Sequence, residues 1–419
     1  MTMKALVISA SEPPHARGGQ HGTQLRTRLY LQALKNLDAR IDIAYFVTDP
    51  ESLDPSVSES VRSGFDAAYW GVEIASRHFI RIDRRSKSFA NEYLAGAVTA
   101  SAQPEYFARA SASVVGRLGE IIRAGEYDVV VVRSLAPMLA LSKVGIDRSR
   151  TRIVFDLDDI QHRVKWRENT AAPWYPGKGL KLTQIPALFM AERRCAALAD
   201  ATVICSPDDQ RWLERKGFSR VYAIPNAVRL PAYIEHPSKE PNCLFLGLAH
   251  YEPNARAIER LVTRIFPMIK AAIPEARLLV AGESSDLLKG KWTQSADVEF
   301  MGFVPDLDAL YAKARLFVCP LSNGGGTRLK IIEAAGYGVP VVTTRIGAEG
   351  LDFREGEAIV IRDEDNSLAA ACIELLRDES RYERIRVAAR RVTEQMYGET
   401  KIINRMQALL AADRSTETA

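Results

Sequence analysis

Short, continuous apolar runs alternate along the chain with longer stretches whose apolar positions recur at helical spacing. Lys4–Ser9, Ile41–Phe46, Tyr127–Arg133 and Arg152–Asp159 have few or no polar interruptions, the pattern of strands buried on both faces of a parallel sheet. After the first run comes a glycine-containing loop, Pro13 to Gly22. Leu25, Leu29, Ala33, Leu34 and Leu37 then repeat as one face of a helix. Between the second strand and about residue 125 the chain is polar and weakly periodic. Ala201–Ser206 predicts a further strand, Asp208–Lys216 a helix and Val221–Val228 another extended segment.

The stretch Leu230–Pro241 contains prolines and no period, and it is the expected linker. Beyond it the alternation restarts. Strand Asn242–Gly247, a helix from Arg256 to Ala272, strands Arg277–Gly282 and Val298–Val304, helix Asp306–Ala314 and strand Leu316–Val318 follow in order. Alternation in both halves predicts an α/β protein of two Rossmann-like, doubly wound domains facing each other across a cleft. Their expected spans are 1–230 and 240–392. The charged helical segment Ser380–Leu410 is long enough for its end, about 395–415, to return to the first domain.

Composition narrows the class. A chain of 419 residues exceeds one ordinary core and agrees with two domains. With 47% hydrophobic and 26% charged residues it has the balance of a folded protein, and no eighteen-residue apolar run could span a bilayer. Lys4–Ser9 is too short and too quickly polar for a signal peptide, so a cytoplasmic location is expected. The five cysteines are odd in number and scattered through apolar runs, so neither a disulfide framework nor a metal site is expected. A formal charge of +4 permits attraction to acidic ligands or membranes without pointing to nucleic acid.

The densest candidate chemistry lies at Gly324-Gly325-Gly326-Thr327-Arg328-Leu329-Lys330, between a short strand and a helix expected to be capped by Thr327 and stopped at Gly336. Three glycines let backbone N–H groups approach a bulky anion, and the helix N-terminus adds roughly half a positive charge. Arg328 and Lys330 are cations in a first turn that disfavours them, which points to an external phosphate or diphosphate. Glu333, further along the helix, is placed to accept hydrogen bonds from sugar hydroxyls.

In the first half, the Gly18-Gly19 loop fits either a ligand-binding strand end or a generic turn. It lacks the Gly-x-Gly-x-x-Gly dinucleotide pattern. Asp156, Asp158 and Asp159 close a strand just before His162. Asp158 and His162 are candidates for contacting a polyhydroxylated substrate or a moving proton; alternatively Asp159 caps the next helix and the others are solvated. Basic and aromatic residues interleave from Arg163 to Arg194, including Lys165, Trp166, Arg167, Trp174, Tyr175, Lys178 and Lys181. They suit an anionic membrane surface, a phosphate-bearing acceptor, or a solvated helical face.

The order of these segments resembles the family 4 retaining glycosyltransferases with the GT-B fold, part of the glycosyl transferases group 1. It also includes Ile224-Pro225-Asn226-Ala227-Val228, Gly302-Phe303-Val304-Pro305, Gly336 to Pro340 and Gly347-Ala348-Glu349-Gly350. The resemblance covers nearly the whole chain and is strongest in residues 220–352. It implies a UDP- or GDP-linked sugar as donor substrate bound mainly by the second domain. It further implies a glycan or lipid-linked acceptor on the first domain, no metal or other cofactor, and a place in bacterial cell-surface polysaccharide or glycolipid synthesis.

Carried over by motif, Glu333 holds the ribose hydroxyls, and Gly302, Phe303 and Val304 meet the nucleobase. Gly324, Gly325, Gly326 and Thr327 lie against the diphosphate and sugar, and Gly19 approaches the same phosphates. Two positions depart from the pattern. Gly325 stands where the family usually has a glutamate, and the basic pair many members carry after the first strand of the second domain is absent from Gly247–Asn254. Arg328 and Lys330 are the candidates for the cationic role, with Asp158 and His162 orienting a sugar. Rival readings are a sugar-nucleotide 2-epimerase of the same fold and a non-catalytic nucleotide-sugar sensor.

Overall fold

The computed structural model describes residues 2–10, 22–47, 69–82, 109–171, 174–175, 177–235, 237–292, 295–324 and 326–412. The chain divides into two compact units, Met1–Pro225 with Thr400–Ala419, and Asn226–Glu399. The stretch Leu230–Pro241 belongs to the second unit, where Arg390 donates to the Pro231 carbonyl at 2.9 Å.

The first unit is built on a seven-stranded, wholly parallel sheet in the order β3-β2-β1-β4-β5-β6-β7. Its strands are β1 (Lys4–Ser9), β2 (Arg40–Val47), β3 (Ser76–Arg81), β4 (Val129–Arg133), β5 (Arg152–Asp158), β6 (Ala201–Ile204) and β7 (Val221–Ala223). Every residue of β4 is buried, because helices cover both faces of a parallel sheet; an unbroken valine run is what such a strand requires. The strand order reverses between β1 and β4, so a crevice for ligands is expected at their carboxyl ends.

Two elements fall inside the stretch that shows little periodicity. Strand β3 has the sequence SRHFIR, and only Ile80 of it is buried, because it is an edge strand. Helix Ala112–Gly125 buries Val114, Leu118, Ile121 and Ile122 at helical spacing. The last helix, Glu399–Ala411, belongs to this unit. It buries Ile402, Met406, Leu409 and Leu410, and Arg405 donates to the Ala223 carbonyl at 2.5 Å.

The second unit carries a six-stranded parallel sheet in the order β10-β9-β8-β11-β12-β13. These are β8 (Asn242–Leu246), β9 (Arg277–Ala281), β10 (Val298–Gly302), β11 (Leu316–Cys319), β12 (Val341–Thr343) and β13 (Val360–Ile361). Here the reversal lies between β8 and β11.

The helix after β11 spans Leu329–Tyr337, and its ends differ from the expectation. Arg328, not Thr327, occupies the N-cap, with φ −82° and ψ 80° and no side-chain cap. Gly338, not Gly336, ends the helix in the left-handed conformation at φ 78°. Only glycine suits that position, because a Cβ there would also stand 2.6 Å from Cε2 of Tyr233. Gly336 instead lets the helix pack closely, since a Cβ on it would lie 3.3 Å from Pro231.

Candidate functional site

In the second unit the carboxyl edge of the sheet is extended past its strands by backbone bonds. The Gly247 N–H donates to the Ala281 carbonyl at 3.0 Å and the Gly282 N–H to the Gly302 carbonyl at 2.8 Å. The chains approach so closely that a Cβ on Gly282 would fall on the Gly247 carbonyl, and one on Gly247 would strike Nζ of Lys330.

Lys330 therefore lies over the end of β8. Its ammonium donates to Oδ1 of Asn254 at 2.7 Å and sits 4.7 Å from the centre of the Phe245 ring. Asn254 is fixed in turn by donating to the Leu248 carbonyl at 3.0 Å. Burial pushes the Lys330 pKa below its usual value; proximity to Cys319 opposes the shift and the positive charge of Arg328 adds to it. The ammonium is thus a cation held away from water between a neutral amide and an aromatic ring. Arg328 is itself buried, and a Cβ on Gly324 would stand 3.7 Å from its Nη2.

Glu333 accepts a hydrogen bond from the Tyr311 hydroxyl at 3.2 Å. Burial raises its carboxyl pKa, and that hydrogen bond offsets part of the rise. Tyr311 stacks on Tyr337 with ring centres 4.3 Å apart, and Tyr337 donates to Asp308 at 2.7 Å. A packed aromatic pair thus fixes the rotamer of Glu333. Gly302 closes β10 and donates its N–H to Oγ of the fully buried Ser285 at 2.9 Å. Phe303 follows it with 65% of its surface exposed, while Val304 packs partly against the core.

The structure thus gathers Arg328, Lys330 and Gly324 at one strand end, with Glu333 on the helix that follows. Gly302, Phe303 and Val304 sit at the same sheet edge, beyond β9. Gly326 and Thr327 are half-buried between Gly324 and the helix. Gly19 and Gly325 lie outside the described residues.

In the first unit the strand ends carry a buried ionic cluster. Asp156 is fully buried and accepts from Arg26 Nε at 2.7 Å, Arg26 Nη2 at 3.1 Å and Arg133 Nη1 at 2.6 Å. Burial alone would raise its pKa, but the two guanidinium groups hold the carboxyl below the usual carboxylate range. Arg26 also donates to the Ile224 carbonyl at 3.0 Å, tying the first helix, Gly22–Lys35, to the chain after β7.

Asp158 follows across a register shift in β5 and adopts a left-handed φ of 66°. For a residue other than glycine this costs of order 1–3 kcal/mol and is sustained only by surrounding structure. The clamp on Asp156 supplies that support, together with the Cys205 thiol, which donates to Asp158 at 3.0 Å. Asp158 lies 3.8 Å from Arg26 and 3.6 Å from Arg133, and its side chain stays 27% exposed, so it is the carboxylate of the pair that solvent can reach.

His162 is differently placed. It is buried between Phe189 and Trp212, with ring centres 5.2 Å away in each case. Its Nδ1 lies 2.5 Å from Glu192 and its backbone N–H donates to the same carboxylate at 3.2 Å. Glu192 is fully buried, so this pairing meets a structural need of the helix Gln184–Leu198. Of the basic and aromatic stretch, Trp166 and Trp174 are exposed. Lys165 pairs with Glu168 at 3.0 Å, and Arg163 with Asp209 at 2.5 Å.

Arg26, Arg133, Asn254 and Tyr311 were not singled out by pattern. Arg133 did carry a signal, as a charge closing an otherwise all-apolar strand beside another strand that ends in aspartate.

Two successive α/β units of this kind define the GT-B fold, and solved structures agree over nearly the full chain. Sucrose-phosphate synthase from Thermosynechococcus elongatus superposes with a TM-score of 0.69 at 18% identity, covering 97% of this chain and 98% of that one. Anabaena HepE, solved in complex with UDP-glucose, gives 0.64 at 14% identity, covering 98% and 99%. A TarM mutant from S. aureus, in complex with Fondaparinux, α-GlcNAc-glycerol and UDP, gives 0.67 at 8% identity, covering 98% and 100%.

Residues 240–378, inside the second unit, match the family described as Glycosyl transferases group 1. A Klebsiella pneumoniae protein described as an uncharacterized 44.6 kDa protein in the cps region is 24% identical over 192 residues. That match spans 42% of this chain and about half, 50%, of the relative.

Proposed function

We propose that this chain is a retaining glycosyltransferase that moves a sugar from a nucleoside-diphosphate sugar to a hydroxyl of a glycan or lipid-linked acceptor. The observation that carries the reading is the site at the carboxyl ends of β8 and β11. There a desolvated Lys330 stands beside Arg328, a glycine loop and the tyrosine-held Glu333, all within the matched family segment. The UDP-glucose and UDP complexes of the similar structures support a uridine nucleotide among the candidate donors. The capsule-region relative supports a role in cell-surface polysaccharide synthesis.

In this reading Glu333 accepts hydrogen bonds from the ribose hydroxyls, and Phe303 lies against the base. The Gly324–Thr327 backbone and the cations Arg328 and Lys330 receive the diphosphate. As the bond from sugar to phosphate breaks, negative charge grows on the leaving diphosphate. The two cations stabilise it most at that moment, which is electrostatic catalysis without a metal. A leaving-phosphate oxygen takes the acceptor proton on the face from which it departs, so the configuration is retained and no protein nucleophile is used. Asp158 orients a sugar hydroxyl. His162, its Nδ1 and backbone held by Glu192, acts by fixing the segment after β5. Trp166 and Trp174 with the neighbouring lysines rest on anionic membrane when the acceptor is lipid-linked.

The test is thermal stabilisation across a panel of UDP- and GDP-linked sugars, since a ligand that binds only the folded state raises the midpoint by mass action. A selective rise with one nucleotide series, reduced in Lys330→Met and Glu333→Gln, is expected. No rise with any member would overturn the proposal.

A further inference from the structure

The amino-terminal edge of the first unit's sheet, at the opposite strand ends from Asp158, contains a cavity of about 240 Å³. It is lined by Lys4, Arg40 and Ser76, the first residues of β1, β2 and β3, together with Asp42, His78, Tyr127 and the last turn of helix Ala112–Gly125. Asp42 is only 7% exposed, yet just one of its oxygens is satisfied. Oδ2 accepts from the Tyr127 hydroxyl at 2.7 Å and lies 3.9 Å from Nε2 of His78. Oδ1 is buried without a hydrogen-bond partner. Tyr127 is seated for this contact by Gly125, where a Cβ would overlap the tyrosine ring.

Lys4 and Arg40 are opposite each other in the parallel register of β1 and β2. Burial opposes the charge of Asp42, and the contacts of His78 and Tyr127 together with the Arg40 charge outweigh it and hold the carboxyl below its usual range. One buried acceptor with an open lone pair therefore faces the same space as two cations of the sheet rim. The open Oδ1 lone pair in a concave site is the feature that folding alone leaves unexplained.

We propose that this cavity is a second binding site, for a small phosphate monoester that also bears a hydroxyl. The phosphate spans Lys4 and Arg40, whose neighbouring strands stand about 4.8 Å apart, close enough for one phosphate to meet both. The hydroxyl donates to Oδ1 of Asp42, on the side where the helix C-terminus favours a donor over an acceptor. The site shares no residue with the proposed donor site, so it stands or falls independently of that reading.

Calorimetric titration of the full-length protein with glycerol 3-phosphate, inorganic phosphate and glycerol tests this, each with and without saturating UDP. The expected result is saturable binding of glycerol 3-phosphate that UDP leaves unchanged, weaker binding of inorganic phosphate, and none of glycerol. Arg40→Ala and Lys4→Met, both at the sheet rim, should each weaken glycerol 3-phosphate at least about tenfold. Asp42→Asn should cut its advantage over inorganic phosphate; if that variant fails to fold, the two rim variants decide. Absence of saturable binding, binding abolished by UDP, or binding unchanged in both rim variants would overturn the proposal.

Discussion

Replacing Lys330 by methionine separates the cost of holding a cation from the benefit of using it. Methionine keeps most of the chain's volume over the Phe245 ring and removes only the charge and its donors. In the free protein the loss is one hydrogen bond to Asn254 at 2.7 Å and one ammonium–ring contact at 4.7 Å, about 1 kcal/mol and 0.5–1 kcal/mol respectively. Against this stands relief of the desolvation and of the repulsion from Arg328 that lower the Lys330 pKa. Terms of similar size and opposite sign leave the unliganded stability within about 1 kcal/mol of wild type.

The bound state has no such compensation, because a charge-assisted hydrogen bond to phosphate is lost outright, worth about 1.5–3 kcal/mol. The nucleotide Kd should then rise roughly 10- to 150-fold. At UDP about 100-fold above the wild-type Kd, stabilisation is about 2.7 kcal/mol, and a tenfold weaker Kd leaves about 1.4 kcal/mol. In a thermal melt the ligand-induced shift should fall to half or less while the unliganded midpoint barely moves. An undiminished shift would refute the assignment of Lys330 to the diphosphate. A collapse of the unliganded midpoint would show that the cation is structural.

Glu333→Gln should weaken nucleotide binding and flatten its pH dependence. Burial raises the Glu333 pKa above the usual value, and ribose hydroxyls donate best to the ionised form. Wild-type affinity should therefore decline as pH falls through that raised value, which calorimetry at several pH values would show. Asp156→Ala leaves Arg26 and Arg133 buried without their shared carboxylate and should destabilise the first unit by about 3–5 kcal/mol, measured by denaturant unfolding. Because the Asp156 pKa is lowered in the folded state, its contribution is present above the unfolded carboxyl pKa and lost as pH falls through the folded value; acid unfolding of wild type should expose that loss. Gly282→Ala places a methyl on the Gly247 carbonyl and should cost at least about 3 kcal/mol; a melting curve like wild type would contradict the close approach. Removing the charges of Lys165, Arg167, Lys178 and Lys181 together should reduce flotation with anionic vesicles, and equal flotation would remove the membrane contact from the account.

The parts legible from pattern were those where burial dictates composition. Strands β1, β4, β5 and β8 are buried almost throughout, so their apolar runs could hardly be read otherwise. Strand β3 escaped because an edge strand need not be apolar, and helix Ala112–Gly125 because its four apolar anchors lie among two exposed arginines, an exposed glutamate and small residues. Glycine spacing located the loop between β11 and its following helix but misplaced the helix ends by one or two residues. Arg328 fits the N-cap position through its backbone angles alone, and Gly338 is marked by its positive φ and by the close Tyr233 ring. The supports of the site were not legible. Tyr311 stands 22 positions before Glu333, and Arg26 lies 130 positions before Asp156, separations that only tertiary packing brings together.

The central claim is transfer, not binding alone. Wild-type protein incubated with the stabilising sugar nucleotide should release nucleoside diphosphate faster when a glycan or lipid extract is added. The new glycosidic bond should keep the donor's anomeric configuration by NMR, and Lys330→Met should slow the release. Donor that stays intact with every extract, a new sugar nucleotide formed without acceptor, or an inverted product would contradict the account.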